Sequence, residues 1–423
     1  MLIGLDASRA NRKFKGGTEW YSYYLIRELA KIDSTNQYIL YSDKPLTSGL
    51  SDLTNEDAEA GDKIVKENGF QIIKSPHHNF KAKILNWPFA YLWTQIRFSL
   101  EMLIYPPDVL FIPAHALPYF HAKKSVVTIH DVGFERKKEL YSLENLGPND
   151  GLSGKFFHFF VQLFSRGQIQ SNILDYHRWS TKFSLKHAKK IIAVSEFTRK
   201  ELMDIYKAPA AKIAMIYNGF NSSLYRPIGD RAKIKRVLSE YDLKEPYIFY
   251  VGRLEKKKNV ARLVNAFAVM KQKHKEFKHK LVLAGKAGLG FDEIKYVIDE
   301  FDLDNEVMIT GWVPEADMPY FYAGASLFVF PSLYEGFGIP LVEAMACGAP
   351  VVASRVASIP EITAGAALLF NPKIESDIAE KMIQVLSDKK LASDLIERGY
   401  NRANFFSLAK CAEETLSTIY QMN

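Results

Sequence analysis

Two cysteines in 423 residues, Cys347 and Cys411, are too few for a disulfide framework. Each stands in an apolar helical pattern, where a buried thiol is the default, so a reducing, cytoplasmic setting is expected. No run reaches the about 18 uncharged apolar residues that a membrane-spanning helix needs. The opening Met1-Leu-Ile-Gly-Leu5-Asp-Ala lacks a basic segment ahead of a long apolar core. It reads as a first strand, and neither a span nor a signal peptide is expected. Repeats of solenoid period are missing, as are nucleic-acid modules and dense basic clusters, which argues against nucleic acid as a partner. The one Asp-x-Asp, Asp302-Leu-Asp304, lies in a polar turn and reads as a surface loop, leaving no expected metal ligand.

The chain is long enough for two domains, and 48% hydrophobic residues are ample to fill them. The net charge of +7 is unevenly placed: residues 1–220 carry 29 Lys/Arg against 22 Asp/Glu, and residues 221–423 carry 26 against 26. The basic half also interleaves cations with aromatics, from Lys81 to Trp93 and from Lys155 to Arg166. Such stretches suit an anionic lipid surface; core helices or a partner interface would read the same way.

Short apolar runs alternate with helical patterns, which argues for α/β architecture with parallel sheets. Strands are expected at 2–5, 38–41, 109–112, 126–129 and 191–194, then at 247–251, 280–284, 307–309, 327–330 and 351–353. Helices are expected over 20–30, 260–273 and 407–420. The polar turn Asn218-Gly-Phe-Asn-Ser-Ser223 suits a hinge, so the expected domains are 1–220 and 221–406, with 407–423 a terminal helix.

Past the strand at 327–330 comes Pro331-Ser-Leu-Tyr-Glu335-Gly-Phe-Gly-Ile-Pro340-Leu-Val-Glu343, with two carboxylates eight positions apart. Gly336 and Gly338 allow backbone turns and close approaches that a Cβ would block. Pro340 suits a first helical turn, with the helix starting near Leu341. Its free amides, around Phe337, Gly338, Ile339 and on to Leu341, would offer partial positive charge to a diphosphate. Glu343 alone also reads as a surface carboxylate favoured by the helix dipole. After the strand at 247–251, Gly252-Arg253-Leu-Glu-Lys256-Lys257-Lys258-Asn259 puts four cations in six positions. Taken alone it is also an ordinary solvated loop. In the first half, Gly16-Gly17-Thr18-Glu19 opens a helix whose amides could meet a phosphate or hydroxyl, or form a simple turn. His130 and Asp131 directly follow the strand at 126–129; a histidine there is either a ligand or a hydrogen-bonded structural residue.

These segments, with Ser195-Glu-Phe-Thr198 and Ile359-Pro-Glu361, occur in the order found in glycosyltransferase family 4, which the chain resembles along most of its length. The resemblance implies a GT-B fold, two Rossmann-like domains facing an interdomain cleft. It also implies a retaining transferase that moves a hexose from a nucleotide-sugar to a glycan or lipid-linked acceptor in surface polysaccharide assembly. It assigns Glu335 and His130 to the transferred sugar, Glu343 to the ribose, Phe337, Gly338 and Ile339 to sugar and phosphate oxygens, and Arg253 and Lys258 to the diphosphate. Gly16 and Gly17 would serve the ligand from the first domain. It implies no cofactor beyond the donor, GDP-mannose first and a UDP- or dTDP-sugar otherwise. The rival classes are a sugar-nucleotide 2-epimerase of the same fold and a non-catalytic assembly subunit.

Overall fold

The structure is a computed structural model, describing residues 1–46, 49–55, 66–89, 92–141 and 172–422. It divides into two compact units, Met1–Gly219 with Leu408–Asn423, and Phe220–Ser407. The first is built on β1 (Leu2–Asp6), β2 (Gln37–Ser42), β3 (Lys66–Glu67), β4 (Phe70–Ile72), β5 (Phe80–Ile84), β6 (Val109–Ile112), β7 (Ser125–Ile129), β8 (Lys190–Ala193) and β9 (Ile213–Met215). They form one sheet in the order β3-β4-β5-β2-β1-β6-β7-β8-β9. Pairing is parallel except at β3–β4 and β4–β5.

Apolar residues occupy both faces of this sheet, as buried parallel strands require. Val109 and Phe111 of β6 join Leu25, Ile26 and Leu29 of the helix Gly17–Ile32 on one side. Leu110 and Ile112 join Phe98 and Leu202 on the other. Each such side chain contributes about 1.5–3 kcal/mol. The terminal helix Leu408–Tyr420 packs on Gly17–Ile32, burying Cys411, Ala412 and Ile419. Tyr420 Oη accepts from Asn36 Nδ2 at 2.7 Å. Both cysteines are buried and unbridged.

The basic, aromatic stretch from Lys81 departs from one expectation: its start is β5 and not a core helix. Lys81 and Lys83 lie over the Phe70 ring, 4.2 and 5.8 Å from its centroid. Alternating Lys and apolar residues give β5 one wet and one dry face, a pattern that composition alone reads as a charged run. The second stretch, 155–166, lies outside the described residues.

The second unit carries β10 (Tyr247–Val251), β11 (Lys280–Ala284), β12 (Val307–Gly311), β13 (Leu327–Phe330), β14 (Val351–Ser354) and β15 (Leu368–Phe370). They are all parallel, in the order β12-β11-β10-β13-β14-β15. The winding reverses between β10 and β13, so their following loops diverge and leave a crevice at their carboxyl ends, where open α/β sheets bind ligands. The turn leaving β10 is held tightly from beside it. Gly285 follows β11 at φ +148°, and a Cβ there would lie 1.9 Å from the Gly252 carbonyl oxygen. Gly285→Ala must push that backbone away, and we expect a loss of at least about 2 kcal/mol, in the range of overpacked sites. Chemical denaturation reads it directly, and an unchanged midpoint would contradict this packing.

Candidate active site

The crevice between β10 and β13 is lined by two cross-tied loops. From the β10 side, Lys256–Lys258 form one 3₁₀ turn and Asn259 adopts a left-handed conformation at φ +60°. That backbone turns the Asn259 side chain inward, where its Nδ2 donates to the carbonyls of Pro331 (3.1 Å) and Pro372 (2.8 Å). The Leu333 amide donates back to Lys257 O at 2.9 Å. These contacts bring Lys258 Nζ to 2.5 Å from Glu335 Oε1. Ser332 Oγ donates to the same oxygen at 2.7 Å.

Glu335 is 8% exposed. A carboxylate removed that far from water needs a countercharge and hydrogen bonds, and Lys258 and Ser332 supply both. Glu335 Oε2 is neither sealed nor paired among the described residues, so one oxygen remains for a ligand. Ser358 Oγ fixes the loop beyond, donating to the carbonyls of Glu335 (3.0 Å) and Phe337 (3.2 Å).

Gly338, at φ +95°, caps the helix Ile339–Ala346, with Pro340 in its first turn. The helix therefore begins two residues ahead of the expected start. The Leu341 amide is consumed by Gly338 O at 3.0 Å, leaving those of Gly338 and Ile339 without partners among the described residues. The Phe337 side chain is buried edge-on against Phe406 at 5.4 Å, a packing role. Glu343 lies beyond the first turn, which contains no acidic residue; it is no surface carboxylate there. It turns into the unit, accepting from Tyr322 Oη at 2.9 Å. Burial pushes its carboxyl up to about 7, against hydrogen bonds from Tyr322 and Tyr225. Arg253 stands apart from this cluster, two-thirds exposed, with Glu255 at 3.5 Å.

His130 directly follows β7 in the first unit. Its Nε2–H donates to the Pro113 carbonyl at 2.9 Å, and its ring meets Tyr21 edge-on at 4.8 Å. Burial lowers its pKa, so the imidazole is neutral. Ser195 caps the helix Glu196–Tyr206 by accepting from the Thr198 amide, and Thr198 Oγ1 donates to His130 O at 3.4 Å. The Gly16 amide is taken by Glu19 Oε2 at 3.2 Å. Of the Gly-Gly pair, only the Gly17 amide is open among the described residues.

Gly16, Gly17 and His130 thus belong to one unit and the other expected residues to the second. Within the second, Lys258 and Glu335 touch while Arg253 and Glu343 stand separately. Sequence reasoning missed Ser358, Tyr322 and Tyr225, each a single polar residue with no local pattern, and gave no role to Ser332 and Asn259 within the motifs that contain them. Among the described residues, no group of three or more His, Cys, Asp or Glu could hold a metal ion.

Glu343 gives a pH test. A carboxyl whose folded value is raised from 4.5 to about 7 holds extra protons in the native state, so its contribution falls as pH rises between those values and is level above them. We expect Glu343→Gln to reduce the drop in melting temperature between pH 5 and pH 8. An identical pH profile in variant and wild type would refute the buried, proton-holding carboxyl.

Comparison with known proteins follows the same division. A family profile described as "Glycosyltransferase Family 4" matches residues 15–224, and one described as "Glycosyl transferases group 1" matches residues 230–402. The O-antigen chain mannosyltransferase B of Escherichia coli is 34% identical over 235 residues, 55% of this chain and 61% of that protein. The serotype-specific mannosyltransferase WbdA of Escherichia coli is 27% identical over 229 residues, 54% of this chain and 28% of that protein. The matched region thus spans less than two thirds of either relative. Among solved structures, sucrose-phosphate synthase from Thermosynechococcus elongatus superimposes with a TM-score of 0.70 at 21% identity, covering 100% of this chain and 99% of that one. Anabaena Alr3699/HepE, solved with UDP and glucose, gives 0.67 at 18% identity, covering 99% of each. These likenesses establish a GT-B fold, and the two profiles together account for nearly the whole sequence: the chain belongs to glycosyltransferase family 4.

Proposed function

We propose that this protein is a retaining hexosyltransferase of surface polysaccharide assembly, moving mannose from GDP-mannose to a glycan or lipid-linked acceptor. The observation that carries it is the Lys258–Glu335 pair beside the open amides of Gly338 and Ile339. Transfer breaks the bond from the anomeric carbon to a β-phosphate oxygen, and the electron pair leaves with the diphosphate. Fixed positive charge must already be there. Lys258 spends one of its three donors on Glu335 and keeps the others for the diphosphate, with Arg253 and the helix amides as further donors. Glu335 Oε2 steadies the sugar as positive charge grows at its anomeric carbon. Glu343 accepts from the ribose hydroxyls. The acceptor oxygen bonds to the anomeric carbon on the face the diphosphate leaves, and its proton passes to the departing phosphate oxygen. Mannose rests on the relatives' names, and the cytoplasm on reduced, buried cysteines.

Thermal-shift screening with GDP-, UDP- and dTDP-sugars identifies the donor through stabilisation by mass action, and transfer to a glycan acceptor then follows by product analysis. Lys258→Ala should lower kcat/KM by about 10- to 150-fold, equivalent to about 1.5–3 kcal/mol for a charge-assisted contact. Unchanged kinetics would remove Lys258 from the mechanism. An isomeric sugar nucleotide formed without acceptor would identify an epimerase instead.

The same reading includes peripheral contact with an anionic membrane. Residues 94–104 form a continuous helix, π-helical at Thr94–Phe98 and α-helical at Ser99–Ile104. Three of its five polar residues, Gln95, Ser99 and Glu101, are buried, and Glu101 is paired with Lys83 and Arg97. Leu100, Leu103, Ile104 and Tyr105 are outward and 46–63% exposed. An apolar face with Lys83 Nζ 4.5 Å from the Tyr105 ring centroid suits anionic lipid. Leu103→Asp/Ile104→Asp should abolish sedimentation with phosphatidylglycerol vesicles while leaving melting unchanged; undiminished sedimentation would exclude this face.

A further inference from the structure

His115 lies outside every motif in the sequence, yet its backbone is held in an unfavourable conformation. It follows β6, whose neighbour β1 marks the winding reversal of the first sheet, and has φ +39°. A non-glycine residue there carries strain of order 1–3 kcal/mol, and such positions cluster at ligand sites. Contacts on both sides impose it. The His115 amide donates to Thr128 O at 3.0 Å, and its carbonyl accepts from the buried Ser184 Oγ at 2.8 Å.

The imidazole's two nitrogens differ. Nδ1 is sealed from solvent with no hydrogen-bond partner. A proton on it would be a buried, unsatisfied donor, so the ring's proton belongs on Nε2. Nε2 is neither sealed nor paired among the described residues. Burial, with His130 next in effect, drives the His115 pKa down to about 3, keeping it neutral. The His130 ring lies 5.5 Å away, centroid to centroid, tilted 47°. His130 has the opposite free atom. Its Nε2–H is spent on Pro113 O, so its Nδ1 is an acceptor, neither sealed nor paired among the described residues.

We propose that His115 joins His130, the residue already expected at the transferred sugar, to complete a hydroxyl-recognition site for the hexose, His115 Nε2–H donating and His130 Nδ1 accepting. A hydroxyl both donates and accepts, so two neutral imidazoles with opposite free functions match it, whereas an imidazolium pair would favour phosphate. The assignment of a hexose rests on the glycosyl-transfer reading; the free donor and acceptor rest on the sealed Nδ1 of His115 and the Pro113 bond of His130.

Long-range ¹H–¹⁵N spectra of the full chain labelled in histidine test the pair, with GDP-mannose and UDP-glucose as probes against GDP and UDP. Both residues should appear as the Nε2–H tautomer, and both should shift with a sugar nucleotide but not with the bare nucleotide. An Nδ1–H tautomer at His115, equal response to the bare nucleotide, or no response to any sugar nucleotide would overturn the proposal. Kinetics add a second reading. His115→Phe should lower kcat/KM about tenfold, the size of one neutral hydrogen bond. His115→Gln, whose amide nitrogen can replace Nε2–H, should recover most of it. Equal losses in the two variants would mean that His115 only packs. Tautomers and shifts as expected in a chain that binds sugar nucleotides without transferring them would refute hexosyl transfer and leave the site standing.

Discussion

The ion pair of Lys258 with Glu335 is the constraint around which the second unit's site is arranged. A carboxylate 8% exposed would be strongly unfavourable by itself, and its stability depends on an ammonium from a loop 77 residues away in sequence. That partner arrives because Asn259 and Leu333 lace the loop after β10 to the loop after β13. The lacing in turn requires the neighbouring parallel strands, whose winding reverses between them. Positive charge is therefore fixed before any ligand arrives, the condition under which electrostatic stabilisation needs no reorganisation.

Burial sets the charge states in both units by one rule, disfavouring whichever form is ionised. It raises Glu343 to about 7 and lowers His130 and His115. One unit offers charge suited to a diphosphate, and the other offers neutral donors and acceptors suited to hydroxyls. That contrast follows from what each side chain touches.

Much of the fold was legible because buried parallel strands are short apolar runs whatever their neighbours. The runs at 109–112, 247–251 and 327–330 are strands with those bounds. β5 was hidden by its lysines, and β3, β9 and β15 have two or three residues each, too few for a periodic signal. The helix at Ile339 was placed two residues late because Pro340 is compatible with more than one position in a first turn.

For the site, local chemistry was enough where residues act through their own segment: Gly338 turning into a helix, Pro340 behind it. The sequence by itself determined two wound parallel sheets and the loops at their strand ends, since hydrophobic periodicity and glycine placement are properties of neighbouring residues. Only the tertiary structure decided that Glu343 turns inward to two tyrosines, that Ser332 and Ser358 hold the Glu335 loop, and that His115 lies beside His130. Those outcomes depend on burial and on contacts between distant segments, and neither is encoded in any window of the chain.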